Sequence, residues 1–250
     1  MIWLRSAAFQ AYFHVMTTLL LLVAGLPALL LPPRFSLRLA RFWARAVLGG
    51  LRVICGVKLE VLRADLLPPG PCVIASRHES AFDTFVWLTL RPCCAYVVKA
   101  ELAAAPVLGA LIRRAGMIVV DRTGGAQALR GLLRDGAAAA AAGRTVVIFP
   151  EGTRMAPGSV AAIQPGVAAL AAALRLPVAP VATDSGERWG RRAFRIVPGV
   201  VRVAVRPVLP AGTGRVALTA GIAAGIQWAP VDKSVGAKPR DFENSASVVP

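Results

Sequence analysis

The chain contains two histidines, and only His78 lies outside a long apolar run near its start. His78 stands in Ser76-Arg-His-Glu-Ser-Ala-Phe-Asp83, five residues ahead of an aspartate. An imidazole titrates near neutrality, so it can take and return a proton, and a carboxylate on its second nitrogen fixes the tautomer and stabilises the cation as it forms. Five steps turn an α-helix through about 500° and reverse the face of a strand, so neither regular element brings the two side chains together. A turn does. If a helix starts after Ser80, His78 folds back over its first turn, Asp83 reaches Nδ1 and Nε2 stays free. The same letters allow a plainer reading, because Ser80-x-x-Asp83 also spells a capping box in which Asp83 serves only the helix N-terminus.

A second segment, Phe149-Pro-Glu-Gly-Thr-Arg154, follows the most apolar predicted strand, at the edge where α/β proteins hold ligands. Gly152 permits close backbone approach, Thr153 can donate a hydrogen bond, and the planar fork of Arg154 suits a pair of phosphate oxygens. The alternative there is a surface pair between Glu151 and Arg154, worth little. A third segment, Gly116-Met-Ile-Val-Val-Asp121-Arg122, ends another strand on a cation. Two arginines beside one His and Asp describe a pocket that holds an anion near a general base.

Other chemistries recede. The sequence has no Gly-x-Ser-x-Gly elbow, no Gly-Lys-Ser/Thr phosphate loop, and no set of Cys and His spaced to hold zinc. Cys55, Cys72, Cys93 and Cys94 read as reduced core thiols. Gly212-Thr-Gly-Arg-Val-Ala217 matches a dinucleotide fingerprint loosely, but with no βαβ unit after it the segment reads as a loop.

Four blocks in order, His78 with Asp83, Gly116 through Arg122, Phe149 through Arg154, and Pro177-Val-Ala-Pro-Val181, resemble those of the glycerolipid acyltransferase family, in particular its bacterial 1-acylglycerol-3-phosphate acyltransferases. Lys99-Ala-Glu-Leu102, with Pro106 and Gly109, is similar to the family's K-x-E-L stretch, and the resemblance runs from about Leu59 to Val205. It implies His78 as the base that takes the proton from the sn-2 hydroxyl of lysophosphatidic acid as that oxygen attacks an acyl thioester, with Asp83 orienting the ring and no acyl-enzyme. The donor would be acyl carrier protein or coenzyme A thioester and the product phosphatidic acid, with no metal and no other cofactor. Arg122 and Arg154 would hold the glycerol phosphate, Gly152 and Thr153 would shape its cradle, Glu151 would brace the loop, and Lys99 would add an anion contact. The sequence departs from the family at Met155, where Ser is usual, and at Ile163-Gln164, which replaces an aromatic-Lys pair and removes one cation. A different lysolipid or an amino-acid-based lipid as acceptor would keep the mechanism and change only the headgroup pocket.

The elements that must position these residues are those of an α/β fold, a mixed sheet flanked by helices. Apolar runs predict strands at 58–62, 72–76, 95–99, 117–120, 145–149, 178–182 and 200–205, and longer stretches predict helices at 80–90, 106–115, 126–142 and 167–174. Residues 58–210 would form the catalytic domain, 1–57 membrane-associating helices, and 211–250 a C-terminal extension that loses alternation after Leu209 and is loosely ordered from Lys233.

Composition sets the surroundings. Hydrophobic residues make up 56% and charged residues 17% of the 250, and 29 cations against 13 anions give +16, with all but four of the cations arginine. That balance favours an anionic partner. From Ala7 to Pro33 there is no Asp, Glu, Lys or Arg, a stretch longer than the roughly 20 residues a helix needs to cross a bilayer. Gly25 and Pro27 interrupt it, which leaves a tilted span, a kinked span or a re-entrant hairpin open. Basic residues follow at once without an A-x-A site, unlike a secretory signal. The cations place the downstream domain on the cytoplasmic side of a membrane, which the resemblance to bacterial members of the family implies is a bacterial inner membrane. Arg34, Arg38, Arg41, Arg45 and Arg52 fall at helical spacing on one stripe, with Leu39, Phe42, Trp43, Ala46, Leu51 and Ile54 assigned to the other face. Such a helix can lie in an anionic lipid surface, with the five arginines and Trp43 touching the membrane, or pack on its own domain with the stripe solvated. A basic nucleic-acid-binding protein would share the charge, but the arginines are spread along the chain without interleaved aromatics, so no nucleic-acid partner is expected. A non-catalytic membrane-surface protein is the remaining alternative.

Overall fold

The computed structural model describes residues 1–121, 123–160 and 162–229. Helix α1 (Ile2–Leu20) continues through a π-helical turn at Leu21–Gly25 into α2 (Leu26–Ala28). Pro33 opens α3 (Pro33–Gly50), where its missing N–H costs nothing, and the helix runs on through a π-helical turn to a left-handed Gly56 at φ +70°. The sheet then alternates with helices: β1 (Val57–Leu62), β2 (Val73–Ser76), α4 (Asp83–Leu90), β3 (Cys94–Lys99), α5 (Ala100–Ala103), α6 (Leu108–Arg114), β4 (Ile118–Val120), α7 (Gly125–Ala141) and β5 (Thr145–Ile148). After these come α8 (Pro165–Leu174), β6 (Val178–Thr183), α9 (Ser185–Arg188), β7 (Gly199–Val205) and α10 (Arg215–Gly225).

All seven predicted strands are present in one sheet of order β1-β7-β6-β2-β5-β3-β4, parallel throughout except where β6 meets β7. The central strands are buried on both faces, so their sequence reads as continuous Val and Ile, and period two shows only in which side each residue joins. Cys72 and Ile74 pack with α1, α3 and α4 on one face, whereas Val73 and Ala75 pack with α7, α8 and α10 on the other. The connection leaving β2 therefore crosses one face, through α4, and the connection leaving its neighbour β5 crosses the opposite face, through α8. A crevice opens at the carboxyl ends of two strands whose connections diverge in this way, and ligands in α/β folds sit there.

Three expectations need correction. The segment 212–217, expected as a loop, opens a helix: Gly214 is the N-cap of α10, which buries Leu218 and Ile222, with Ile226 buried at its C-terminal end, at four-residue spacing. Small residues hid this helix: a Cβ on Gly225 would stand 2.5 Å from Pro180, so the close approach requires glycine and dilutes the apolar signal. Residues 230–250, with the predicted loose tail, lie outside the described residues. Cys55, Cys72 and Cys94 are buried free thiols, but Cys93 is exposed.

The N-terminal helices share the core of the sheet. Phe9, Ala44, Val47 and Leu51 belong to the same buried cluster as Val57, Ile74 and Val147. Tyr12 donates its hydroxyl to the Ala46 carbonyl at 3.0 Å, and its ring lies so close to Gly50 that a Cβ there would stand 2.3 Å away. The α3 stripe is also rotated relative to expectation. Arg34, Arg38, Arg45 and Arg52 are exposed, but Arg41 is half-buried, its Nε without a partner, and burial lowers its pKa. Trp43 turns inward, donating to Thr17 Oγ1 at 2.9 Å and meeting Phe85 edge-on at 5.0 Å, while Phe42 faces outward beside the arginines, 58% exposed. The sheet face that α3 meets decides this, and no periodicity in α3 alone reveals it.

Candidate active site

β2 and β5 are hydrogen-bonded neighbours with Ala75 opposite Ile148, so the segments that follow them emerge side by side. His78 lies two residues past the end of β2, and the ring of Phe149, one residue past β5, stacks on its imidazole with centroids 4.0 Å apart. A turn links His78 to α4, which begins at Asp83, three residues later than predicted. Within it Asp83 meets both the imidazole and the backbone of the turn, while Phe82, the N-cap of α4, makes no side-chain cap bond. Asp83 Oδ2 lies 3.2 Å from His78 Nδ1 and also accepts the Glu79 and Ser80 N–H groups, each at 2.8 Å. Ser80 Oγ accepts the Phe82 N–H at 3.1 Å. The two turn amides therefore hold the carboxylate in place against the imidazole. Among the described residues no hydrogen bond reaches His78 Nε2, and the ring is 12% exposed while Asp83 is 2% exposed.

Two side chains that the motifs did not single out complete this turn. Arg77 and Glu79 flank His78, both are 1% exposed, and they pair at 2.6 Å. Arg77 also donates to the Ala156 and Ser159 carbonyls, and Glu79 Oε2 accepts the Gly186 N–H at 3.1 Å. Burial pushes the Glu79 carboxyl up, opposed by Arg77. The pair ties the His78 turn to residues 156–159 and to α9, so alternate residues of one short segment face chemistry and scaffold. Tyr96 of β3 adds a further tie, donating to the Asp83 carbonyl at 3.4 Å and accepting the Trp87 N–H at 3.1 Å.

The loop after β5 is held against the turn by its backbone. Met155 N–H donates to the His78 carbonyl at 2.7 Å, and Gln164 N–H to the Pro150 carbonyl at 2.9 Å. At the departures from the family pattern, Met155 and Gln164 therefore make these contacts through the main chain, while Ile163 packs against the core cluster that holds Val73 and Ala75. Gly152, at φ +71°, turns the loop in the left-handed region. Glu151 is buried, with Oε1 3.5 Å from the His78 N–H and Oε2 unpaired, and burial pushes its carboxyl up to about 7. It makes no ion pair with Arg154, which lines a cavity of about 320 Å³ together with Ala81 of the His78 turn. Thr153 is exposed on the same loop, and Lys99 is exposed at the end of β3, outside the lining of that cavity. Arg122 lies outside the described residues. Among those described, no group of His, Cys, Asp and Glu could hold a metal ion.

An imidazole beside a buried carboxylate, near a cavity lined by a guanidinium, at a sheet edge adjoining an apolar helix, has the chemistry to take a proton from an acceptor that carries an anion. The family model for Acyltransferase matches residues 58–184, and the chain belongs to that family. It is 33% identical over 169 residues to the 1-acyl-sn-glycerol-3-phosphate acyltransferase of Pseudomonas aeruginosa, covering 68% of this chain and 66% of that relative. It is 28% identical over 169 residues to the human 1-acyl-sn-glycerol-3-phosphate acyltransferase alpha, covering 66% of this chain and 60% of that protein. The matched region thus spans less than two thirds of either relative's own length. The fold is that of the crystal structure of the 1-acyl-sn-glycerophosphate acyltransferase PlsC from Thermotoga maritima, with a TM-score of 0.73 over 91% of this chain and 95% of that one at 20% identity.

The continuous helical run Ile2–Ala28 contains an 18-residue stretch with a mean hydropathy of 1.6 and is long and apolar enough to cross a membrane. Its polar contacts limit how it can lie. Ser6 Oγ accepts the Ile196 N–H at 2.9 Å, and Tyr12 and Thr17 bond to α3, while Leu4, Val15, Leu19, Leu22 and Val23 are exposed. One side is fastened to the domain and the other presents an uncovered apolar face suited to membrane association.

Proposed function

We propose that this protein is a membrane-associated O-acyltransferase that moves a fatty acyl group from a thioester to the sn-2 hydroxyl of 1-acylglycerol 3-phosphate, giving phosphatidic acid. The observation that carries the reading is the Asp83-oriented His78 at a switch-point crevice, with its second ring nitrogen unoccupied by protein and Arg154 nearby. The Pseudomonas aeruginosa and human relatives, both named as 1-acyl-sn-glycerol-3-phosphate acyltransferases, supply the acceptor.

In this mechanism His78 Nε2 takes the hydroxyl proton as the acceptor oxygen attacks the thioester carbonyl, and the Asp83 carboxylate stabilises the imidazolium. The tetrahedral intermediate collapses, the carbon–sulfur bond breaks, and His78 returns the proton to the departing thiolate. Positioned general base catalysis of this kind is worth about 10²–10⁴-fold. Phe149 and Asp83 hold the ring between them, Glu151 and the Met155 amide brace the loop, and Arg154, with Gly152 and Thr153 shaping the approach, meets the acceptor phosphate. Arg122 and Lys99 are proposed as further anion contacts. Acyl carrier protein or coenzyme A delivers the thioester.

The 1–57 region sits in the cytoplasmic leaflet of a bacterial inner membrane, with the domain on the cytoplasmic side. The fastened side of α1 supports an orientation in which the hairpin lies in one leaflet rather than leaving the domain to cross both. Arg34, Arg38, Arg45 and Arg52 would meet anionic headgroups, with Phe42 and Val53 reaching below them. Purified protein given mixed lysolipids and both thioester donors tests the function, with products read by mass spectrometry. Phosphatidic acid is expected; acylation of a different lysolipid alone would redirect the acceptor assignment, and the absence of any acylated product would reject the activity.

A further inference from the structure

The loop joining β6 to β7 carries a cation that none of the sequence motifs contains. β6 flanks β2 on the side opposite β5 and runs parallel to it, with Val181 opposite Ser76, so this loop starts from the same sheet edge as the His78 turn. It contributes Trp189 and Arg192 to the cavity that Arg154 and Ala81 also line, and Gln10 of α1 forms part of the wall. Residues 190–193 form a turn closed by the Ala193 N–H on the Gly190 carbonyl at 3.1 Å, and the Trp189 indole N–H donates to the Ala193 carbonyl at 3.1 Å. The second central residue of that turn is Arg192, at φ +57°. Glycine is favoured at such a position, and an L side chain there is strained, a condition that concentrates at binding sites. Neither Arg154 nor Arg192 has a hydrogen-bond or ion-pair partner among the described residues.

We propose that Arg192 is a second anion-binding residue, which closes with Arg154 on the acceptor phosphate and sets the preference for a phosphomonoester over a phosphodiester or an uncharged headgroup. A monoester carries more than one negative charge at neutral pH and three terminal oxygens, which two guanidinium forks can share. The identity of the acceptor rests on the acyl-transfer reading above; the anion site rests on the cavity and the turn.

Arg192→Gly is the informative variant, because it removes the charge while placing at φ +57° the residue that tolerates it best. KM for lysophosphatidic acid should rise about tenfold, as expected for one lost charge-assisted bond, with kcat little changed and Tm unchanged or higher. Arg192→Lys should recover part of the affinity, and turnover of lysophosphatidylglycerol and monoacylglycerol should be unaffected. An unchanged KM in Arg192→Gly, or an equal loss for all three acceptors, would overturn the proposal. If the unmodified protein acylates no lysolipid, the activity reading fails separately, and titration with glycerol 3-phosphate followed by tryptophan fluorescence decides the site. Weaker binding by Arg192→Gly than by the unmodified chain sustains it; equal binding, or none in either, rejects it.

Discussion

The sheet edge around His78 and the outer side of the α1–α3 pair treat burial in opposite ways. At the edge, Arg77, Glu79, Asp83 and Glu151 are sealed from solvent and held by one another, by backbone amides and by neighbouring carbonyls. Along the helices, Leu4 is 76% and Val23 72% exposed, and Phe42 on α3 and Val53 in the π-helical turn after it stand open among arginines. Charges can be withdrawn from water only where hydrogen bonds replace it, and an apolar face this extended persists only where something other than water covers it. On the proposed function, the contrast separates a region for proton transfer from one for contact with lipid, and each can be perturbed without the other.

The largest effect is expected at the edge. His78→Ala should lower kcat by about 10²–10⁴-fold with an unchanged thermal midpoint and unchanged vesicle binding, and near-normal turnover would remove the base from the mechanism. Glu79→Ala should leave Arg77 buried and unpaired and destabilise the fold by about 3–5 kcal/mol in urea unfolding. On the helices, replacing Arg34, Arg38 and Arg45 together by Gln should cost about 1 kcal/mol each in binding to anionic vesicles, with a difference that shrinks as salt rises. Acylation of a detergent-dispersed acceptor should be unaffected, and equal losses in the two assays would erase the separation.

The smallest effect sharpens the edge itself. Glu151 has its carboxyl raised by burial from 4.5 to about 7, so its neutral form favours the folded state. The stability this contributes is complete below about pH 4.5 and is lost as pH rises through about 7. Glu151→Gln, neutral at every pH, should raise Tm relative to the parent at pH 8 and give no gain at pH 4.5. Melts that shift equally at both pH values would contradict the assignment.

The strands were legible because central parallel strands leave unbroken Val and Ile runs bounded by Gly, Pro and polar residues. His78 and Asp83 were legible as a pair, but the sequence presented catalytic orientation and helix capping as rivals, and the structure shows the oxygen beside the imidazole bonded instead to two amides of the preceding turn. Arg77 and Glu79 were not legible, because a buried ion pair has the same composition as a solvated one. Trp43 and Phe42, assigned to one face of α3, lie on different sides of it, because helical spacing fixes angles between residues but not which angle faces the sheet. Arg192 escaped notice for a related reason: it belongs to no motif, and its place is set by a turn whose strain is invisible in the letters.

The bond from Ser6 to Ile196 has a practical consequence. Together with the stacking of Trp3 on Phe194, it moors the segment just after Arg192 to the first helical turns of the chain. Trimming the greasy start to obtain a detergent-free enzyme would therefore cut away a side of the chamber, through Gln10, and slacken the strap opposite. A lysolipid rising from the leaflet along that same helix would find its headgroup delivered to the guanidinium pair without ever entering bulk water.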